Sequence, residues 1–181
     1  MPPQDYWDSF FEPEKILDSL LLDNSRRNVL EFGCGYGTFT LPAARRIGGI
    51  VTALDLDQVM LDATELNARN AGLDNIECQL RDFCADGSGV TDAGMDYVML
   101  FNILHVDDPL SLLQEARRNL GQGGLLGIVH WINDEETPRG PPLVIRPKPE
   151  QCRDWAIEAG FSPHGETIDL PPYHYGLVMK R

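Results

Sequence analysis

Three glycines at alternate positions, Gly33, Gly35 and Gly37, follow the apolar run Val29-Leu30-Glu31-Phe32, and nothing else in the 181 residues restricts the fold as much. Glycine at that spacing lets the backbone turn through positive φ and lets a ligand approach the main chain with no Cβ in the way. Beyond the glycines, Phe39, Ala43, Ala44 and Ile47 recur at helical spacing, with Pro42 in the first turn, where a missing N–H does least harm. Strand, glycine turn and helix make the first half of a nucleotide-type βαβ unit, in which helix N-terminal N–H groups aim at an anion in the loop.

A dinucleotide site closes G-x-G-x-x-G on a third small residue, so that helix and strand pack closely. Here Thr38 holds that place in the frame of Gly33, and Thr40 holds it in the frame of Gly35. The pattern present is Glu31-x-Gly33-x-Gly35-x-Gly37, and it resembles motif I of the class I S-adenosylmethionine-dependent methyltransferases. Ile50 to Asp55 reads as the second strand, and a carboxylate at its carboxyl end can accept hydrogen bonds from both hydroxyls of a ribose. The resemblance makes Asp55 that ribose ligand and places Leu56 beside it in the cofactor site. Asp57 reads as the N-cap of the next helix, which runs to Gly72, with a ribose contact as its alternative role.

The third strand, Ile76 to Leu80, runs into Arg81-Asp82-Phe83. In the family an acid just past this strand takes the adenine amino group and the next residue lies against the ring, so the resemblance assigns those roles to Asp82 and Phe83. A loop acid and a core phenylalanine are the alternative. Met95 to Phe101 is a near-continuous apolar run, as in a parallel strand buried on both faces, and it leads into Asn102-Ile103-Leu104-His105. The resemblance passes this segment under the methionine portion of the cofactor and puts Asn102 among its contacts. Glu31 would order loop N–H groups or hold the cofactor's ammonium.

Asp108-Pro109 opens a helix whose stripe, Leu112, Leu113, Ala116 and Leu120, ends at Gly121. Gly123-Gly124 turns the chain into a fifth strand over 125–131. Residues 132–148 carry Pro138, Pro141, Pro142 and Pro147 with little periodicity, a long excursion of the functional kind. A helix from Pro149 to Gly160 follows, then strands over 161–170 and 173–180 joined by Pro171-Pro172. The expected architecture is α/β: a doubly wound, mostly parallel seven-stranded sheet with a reversed last strand and helices on both faces, the methyltransferase arrangement. Residues 1–25 would form a helical cover, and 26–181 a single S-adenosylmethionine-binding domain with a loop insertion at 132–148. Tyr6, Trp7, Phe10 and Phe11 in the cover would close a ligand cleft or form a homodimer contact.

The function expected is methyl transfer from S-adenosyl-L-methionine to a small-molecule acceptor, leaving S-adenosyl-L-homocysteine. A net charge of −13, from 15 basic and 28 acidic residues, argues against tRNA or DNA as partner. No apolar run reaches the length of a bilayer span, and Met1-Pro2-Pro3-Gln4-Asp5 has no signal-like character, so the expected location is cytoplasmic, without a membrane partner. Cys34, Cys78, Cys84 and Cys152 lie far apart with no C-x-x-C, which indicates neither a zinc cage nor a disulfide framework. Two histidines are candidate bases. His105 follows the fourth strand, and His174 sits in the corner Tyr173-His174-Tyr175. That corner, the aromatic entry and the loop 132–148 would converge over the methyl, with His174 near the rim as proton acceptor. A packing role for His105 and simple exposure of His174 are the alternatives. Two other functions share motif I: a nicotinamide-dependent oxidoreductase, which would also use Asp55, and a catalytically silent cofactor-binding protein.

Overall fold

Alternate residues of an apolar strand face opposite sides of a sheet, and in this protein that periodicity builds two cores. The computed structural model describes residues 1–181. Two short helices, α1 (Gln4–Asp8) and α2 (Pro13–Ser19), precede β1 (Asn28–Phe32). Next come α3 (Thr40–Arg46), β2 (Ile50–Asp55), α4 (Gln58–Asn70), β3 (Ile76–Leu80), β4 (Met95–Phe101) and α5 (Pro109–Asn119). The chain closes with β5 (Leu120–Trp131), a 3-10 turn at Leu143–Ile145, α6 (Pro149–Glu158), β6 (Ser162–Pro163), β7 (Ile168–Leu170) and β8 (His174–Lys180).

The sheet order is β3-β2-β1-β4-β5-β8-β6, with β7 also paired to β8. Strands β1 to β5 run parallel, and β8 runs antiparallel to β5. This is the doubly wound sheet with a reversed last strand that the sequence predicts. Strand order reverses between β1 and β4, and ligands of such sheets sit outside the carboxyl ends at that point. No helix is long and apolar enough to cross a membrane.

On one face, Tyr97, Met99 and Phe101 of β4 pack with Val29, Val51, Val129 and the apolar residues of the N-terminal segment. Val98 and Leu100 point the other way, onto Leu126, Ile128 and the inward residues of α5 and α6. The N-terminal segment is also tied to the sheet by a polar contact. The Tyr97 hydroxyl donates to the Leu20 carbonyl at 2.8 Å. Gly127, on the neighbouring strand, makes room for it, since a Cβ there would fall 2.1 Å from the Tyr97 oxygen. Asp57 and Asp108 cap α4 and α5 as their positions predict, accepting from the N–H groups of Val59 and Ser111.

Three expectations are corrected. Helix α5 stops at Asn119, and β5 begins at once, so Gly123-Gly124 lies inside an irregular start of the strand and not in a separate turn. That start is held by Arg181, which exchanges backbone hydrogen bonds with Gly123 and Gly124. The strand expected over 161–170 is two fragments, β6 and β7, whose register on β8 slips by two residues. Gly165, at φ 100°, lies in the break. The eight strands are thus seven lanes with a split edge.

Candidate functional site

The loop behind β1 is shaped by bonds from three directions. The N–H groups of Gly33 and Cys34 both donate to the Leu54 carbonyl, at 2.8 and 3.0 Å. From α4, the Thr64 hydroxyl donates to the Gly35 carbonyl at 2.8 Å and the Asn67 amide to the Tyr36 carbonyl at 2.9 Å. Asp55 completes the frame: one oxygen accepts from the Gly35 N–H at 2.9 Å, the other from the Asp57 N–H at 3.0 Å. Gly33 and Gly35 adopt φ of 76° and 56°, a conformation a Cβ would strain.

Beside this loop lies a cavity of about 270 Å³ lined by Glu31, Gly33, Gly35, Asp55, Asn102 and His105, together with Met1, Trp7, Thr38, Phe39, Met60 and others. Six of the sequence-predicted site residues therefore converge. Its lining holds three carboxyl groups, Glu31, Asp55 and Asp57, and no lysine or arginine. The expected anion cradle is not what the loop builds: α3 has only seven residues and its first, Thr40, is fully buried with its hydroxyl donating to Glu31. Glu31 does not order the loop N–H groups, which is the work of Asp55. Burial pushes the Glu31 carboxyl up to about 8, opposed by the Thr40 hydroxyl and helped by the nearby Asp55. The Asn102 side-chain oxygen is enclosed without a partner, on a residue held at φ 58° while its N–H donates to the Val129 carbonyl at 2.7 Å.

Five predicted residues lie outside this lining. Gly37 is a packing glycine, since a Cβ there would fall 2.5 Å from Leu41 and 3.1 Å from Thr64. Leu56 stands 67% exposed just past Asp55. Asp82 accepts from the Ala85 N–H at 3.0 Å and so caps its own turn, adjacent to β2 through the Arg81 N–H to Asp55 carbonyl bond. Phe83 is buried edge-on against Phe32 with ring centroids 5.2 Å apart, a core position. His174, expected at the open rim, is 3% exposed, wedged against Phe11 and Trp131 at 4.6 and 4.2 Å. Both its ring nitrogens lack partners, and burial holds it down at about 3.

The aromatic entry does meet the 173–175 corner, with Phe10 and Phe11 stacking around Trp131, Tyr173 and His174. Phe10 and Phe11 are spent inside the molecule, leaving Tyr6 as the exposed member of the set. The segment before them lies over the loop. Tyr36 donates to the Pro2 carbonyl at 2.7 Å, Thr38 to Asp8 at 2.6 Å, and the Met1 methyl sits 2.9 Å from where a Gly35 Cβ would be.

His105 also lines a second cavity, of about 350 Å³, with Val106, Pro109, Val144, Ile145, Arg146 and Trp155 among its walls. The proline-rich loop therefore reaches the site. Arg146 folds it, donating to the carbonyls of Ile132, Asp134, Arg139 and Pro141 and to the Thr137 hydroxyl. Arg146 and the fully buried His130 were missed by sequence reasoning, because nothing local distinguishes an arginine in a loop or a histidine ending an apolar strand.

Residues 29–124 match the family model described as a methyltransferase domain. The chain is 28% identical over 146 residues to an aklanonic acid methyltransferase of Streptomyces sp. (strain C5), covering 74% of this chain and 66% of that protein. It is 29% identical over 134 residues to a ubiquinone biosynthesis O-methyltransferase of Actinobacillus pleuropneumoniae, covering 67% of this chain and 57% of that protein. The chain thus spans less than two thirds of these curated relatives' length. Among solved structures, a SAM-dependent methyltransferase from Aquifex aeolicus superposes with a TM-score of 0.85 at 23% identity, over 98% of this chain and 93% of that one.

Proposed function

The chain belongs to the methyltransferase-domain family, whose cofactor is S-adenosyl-L-methionine, and from that premise we propose that it moves the methyl to a hydroxyl of a small-molecule acceptor, releasing S-adenosyl-L-homocysteine. The observation that carries this reading is the charge of the cavity beside the glycine loop. Three carboxyl groups and no lysine or arginine disfavour a pyrophosphate and suit a ligand with a sulfonium and an ammonium. The reversed strand β8 and the unclosed glycine frame point the same way. Both curated relatives named above act, by their names, on small molecules, and one is an O-methyltransferase.

Each Asp55 oxygen already accepts one backbone N–H and keeps a lone pair for a ribose hydroxyl. Exposed Leu56 offers one apolar face to adenine, and Asp82 its free oxygen to the exocyclic amine. Phe83 supports that wall from below rather than stacking on the ring. Glu31 and the unpartnered Asn102 oxygen hold the ammonium. Residues 1–25 act as the cover, with Met1 and Trp7 moving aside for the cofactor. His105, between the two cavities, takes the acceptor's proton. The methyl arrives already activated, so alignment and exclusion of water do the rest.

Calorimetric titration with S-adenosylhomocysteine and NAD side by side tests the reading: the first should bind and the second should not. Binding of NAD alone overturns it. With a phenolic acceptor from a small panel, His105→Gln should lower turnover roughly 100-fold and leave S-adenosylhomocysteine affinity unchanged.

A further inference from the structure

Behind His105 lies a second imidazole that the reading above leaves idle. His130, near the end of β5, is fully buried, and its Nε2 has no hydrogen-bond partner. The Nδ1 of His105 is likewise enclosed and unpartnered. The two rings meet edge to face, with centroids 5.6 Å apart and planes at 79°. Buried polar atoms without partners are costly and rare, so two of them on adjoining rings are not an accident of packing. One water reaching both nitrogens from beside the ring contact would satisfy them, and polar sites of this kind are where buried water is found.

The direction of such a bridge follows from the outer end. The His130 Nδ1 faces the Trp131 carbonyl at 3.5 Å, which draws the ring proton to that nitrogen and leaves Nε2 as an acceptor. The water then donates to His130 Nε2 and accepts from His105 Nδ1–H. His105 is left with its lone pair on Nε2, its less enclosed nitrogen. We propose that His130 is a positioning residue that, through a shared water, fixes His105 in the tautomer whose Nε2 receives the acceptor's proton. This rests on the reading of His105 as the base.

The transfer balances. The acceptor oxygen forms the new O–C bond, the C–S pair stays on sulfur as a thioether, and the hydroxyl proton goes to His105 Nε2. The positive charge of the sulfonium reappears as imidazolium, whose proton leaves to solvent at the rim. His130 does not take it: its burial, with His105, His174 and Arg146 around it, opposes a charge there.

Nitrogen-15 and carbon-13 NMR of the full chain with S-adenosylhomocysteine reads the His105 tautomer directly. The Nδ1–H form should dominate in the parent protein. His130→Phe should shift the population to Nε2–H, and His130→Gln, whose amide oxygen still accepts from the water, should restore Nδ1–H. A dominant Nε2–H form in the parent, or a tautomer indifferent to His130→Phe, overturns the proposal. Should His130→Phe fail to fold, as judged by lost S-adenosylhomocysteine binding, the parent spectrum and His130→Gln decide the matter. Unchanged turnover in His105→Gln would instead remove the base itself, a result separate from the tautomer measurement.

Discussion

The two ends of the crevice are finished to different degrees. On the cofactor side, around β1, β2 and α4, the chain satisfies its own polar groups: Asp55, Thr64 and Asn67 hold the loop backbone by four bonds of 2.8–3.0 Å. On the acceptor side, around the ends of β4, β5 and β8, buried ring nitrogens stand alone: His105 Nδ1, His130 Nε2 and both nitrogens of His174. A satisfied frame is rigid before its ligand arrives, whereas unpaired atoms are completed only by something bound. The cofactor half is built for one fixed shape. Of the three histidines opposite, only His105 borders the cavities; His130 and His174 are walled in by the core.

The hardest test of the finished half is Asp55→Ala. It removes two charge-assisted backbone anchors and, with them, the proposed ribose contact. Cofactor affinity should fall by at least about 3 kcal/mol, or more than about 100-fold, as isothermal titration with S-adenosylhomocysteine would show. Native affinity in a folded variant would mean the loop holds its shape without Asp55, and the contrast between the halves would go.

A smaller lesion probes the other side. Arg146→Met leaves four loop carbonyls and the Thr137 hydroxyl without their shared donor. Stability should drop by about 2–3 kcal/mol in urea, with proteolytic nicking appearing within 132–148, while S-adenosylhomocysteine affinity stays within about twofold. A tenfold loss of affinity would show that the halves are coupled after all.

The same division decides what the sequence discloses. Signals carried by neighbours in the chain are legible: the glycine turn, the caps at Asp57 and Asp108, and the alternation along β4 all act over a few residues. Asp55 ends β2 beside the glycine loop, as its place in the sequence suggests, although its partner Gly35 is 20 residues away. The acceptor side has no such motif. Arg146 is defined by carbonyls scattered from Ile132 to Pro141, and Gly127 has meaning only once Tyr97 reaches across it to Leu20. His174 shows the same limit: read as a rim residue, it is buried because Phe11 and Trp131 close over it from distant segments. Phe83 keeps its place after β3, and its ring packs edge-on against Phe32, a partner far away in the chain that no local signal reveals.

The gentlest comparison of the two halves uses pH. In the unliganded protein Glu31 titrates at about 8 against an ordinary 4.5, so the native state holds a proton that the unfolded chain has lost. Its contribution to stability is complete below about pH 4.5 and drains away as pH rises to 8. His130 and His174 act in the opposite sense. Both are held at about 3 against 6.5, so the unfolded chain takes up protons that the native state refuses. Their contribution is complete above about pH 6.5 and is lost as pH falls. Between pH 4.5 and 6.5 two histidines outweigh one glutamate, so these groups make stability rise; above 6.5 Glu31 alone makes it fall. Urea unfolding across pH 5 to 8.5 should therefore show a maximum near pH 6.5, with slopes of about 1 kcal/mol per pH unit on either side. Saturating S-adenosylhomocysteine should flatten the alkaline limb alone, because its ammonium stabilises ionised Glu31, and affinity should rise with pH up to about 8. An alkaline limb indifferent to the ligand would remove Glu31 from the ammonium site. Loss of the acid limb in His174→Phe, with the alkaline limb intact, would show the two halves titrating independently.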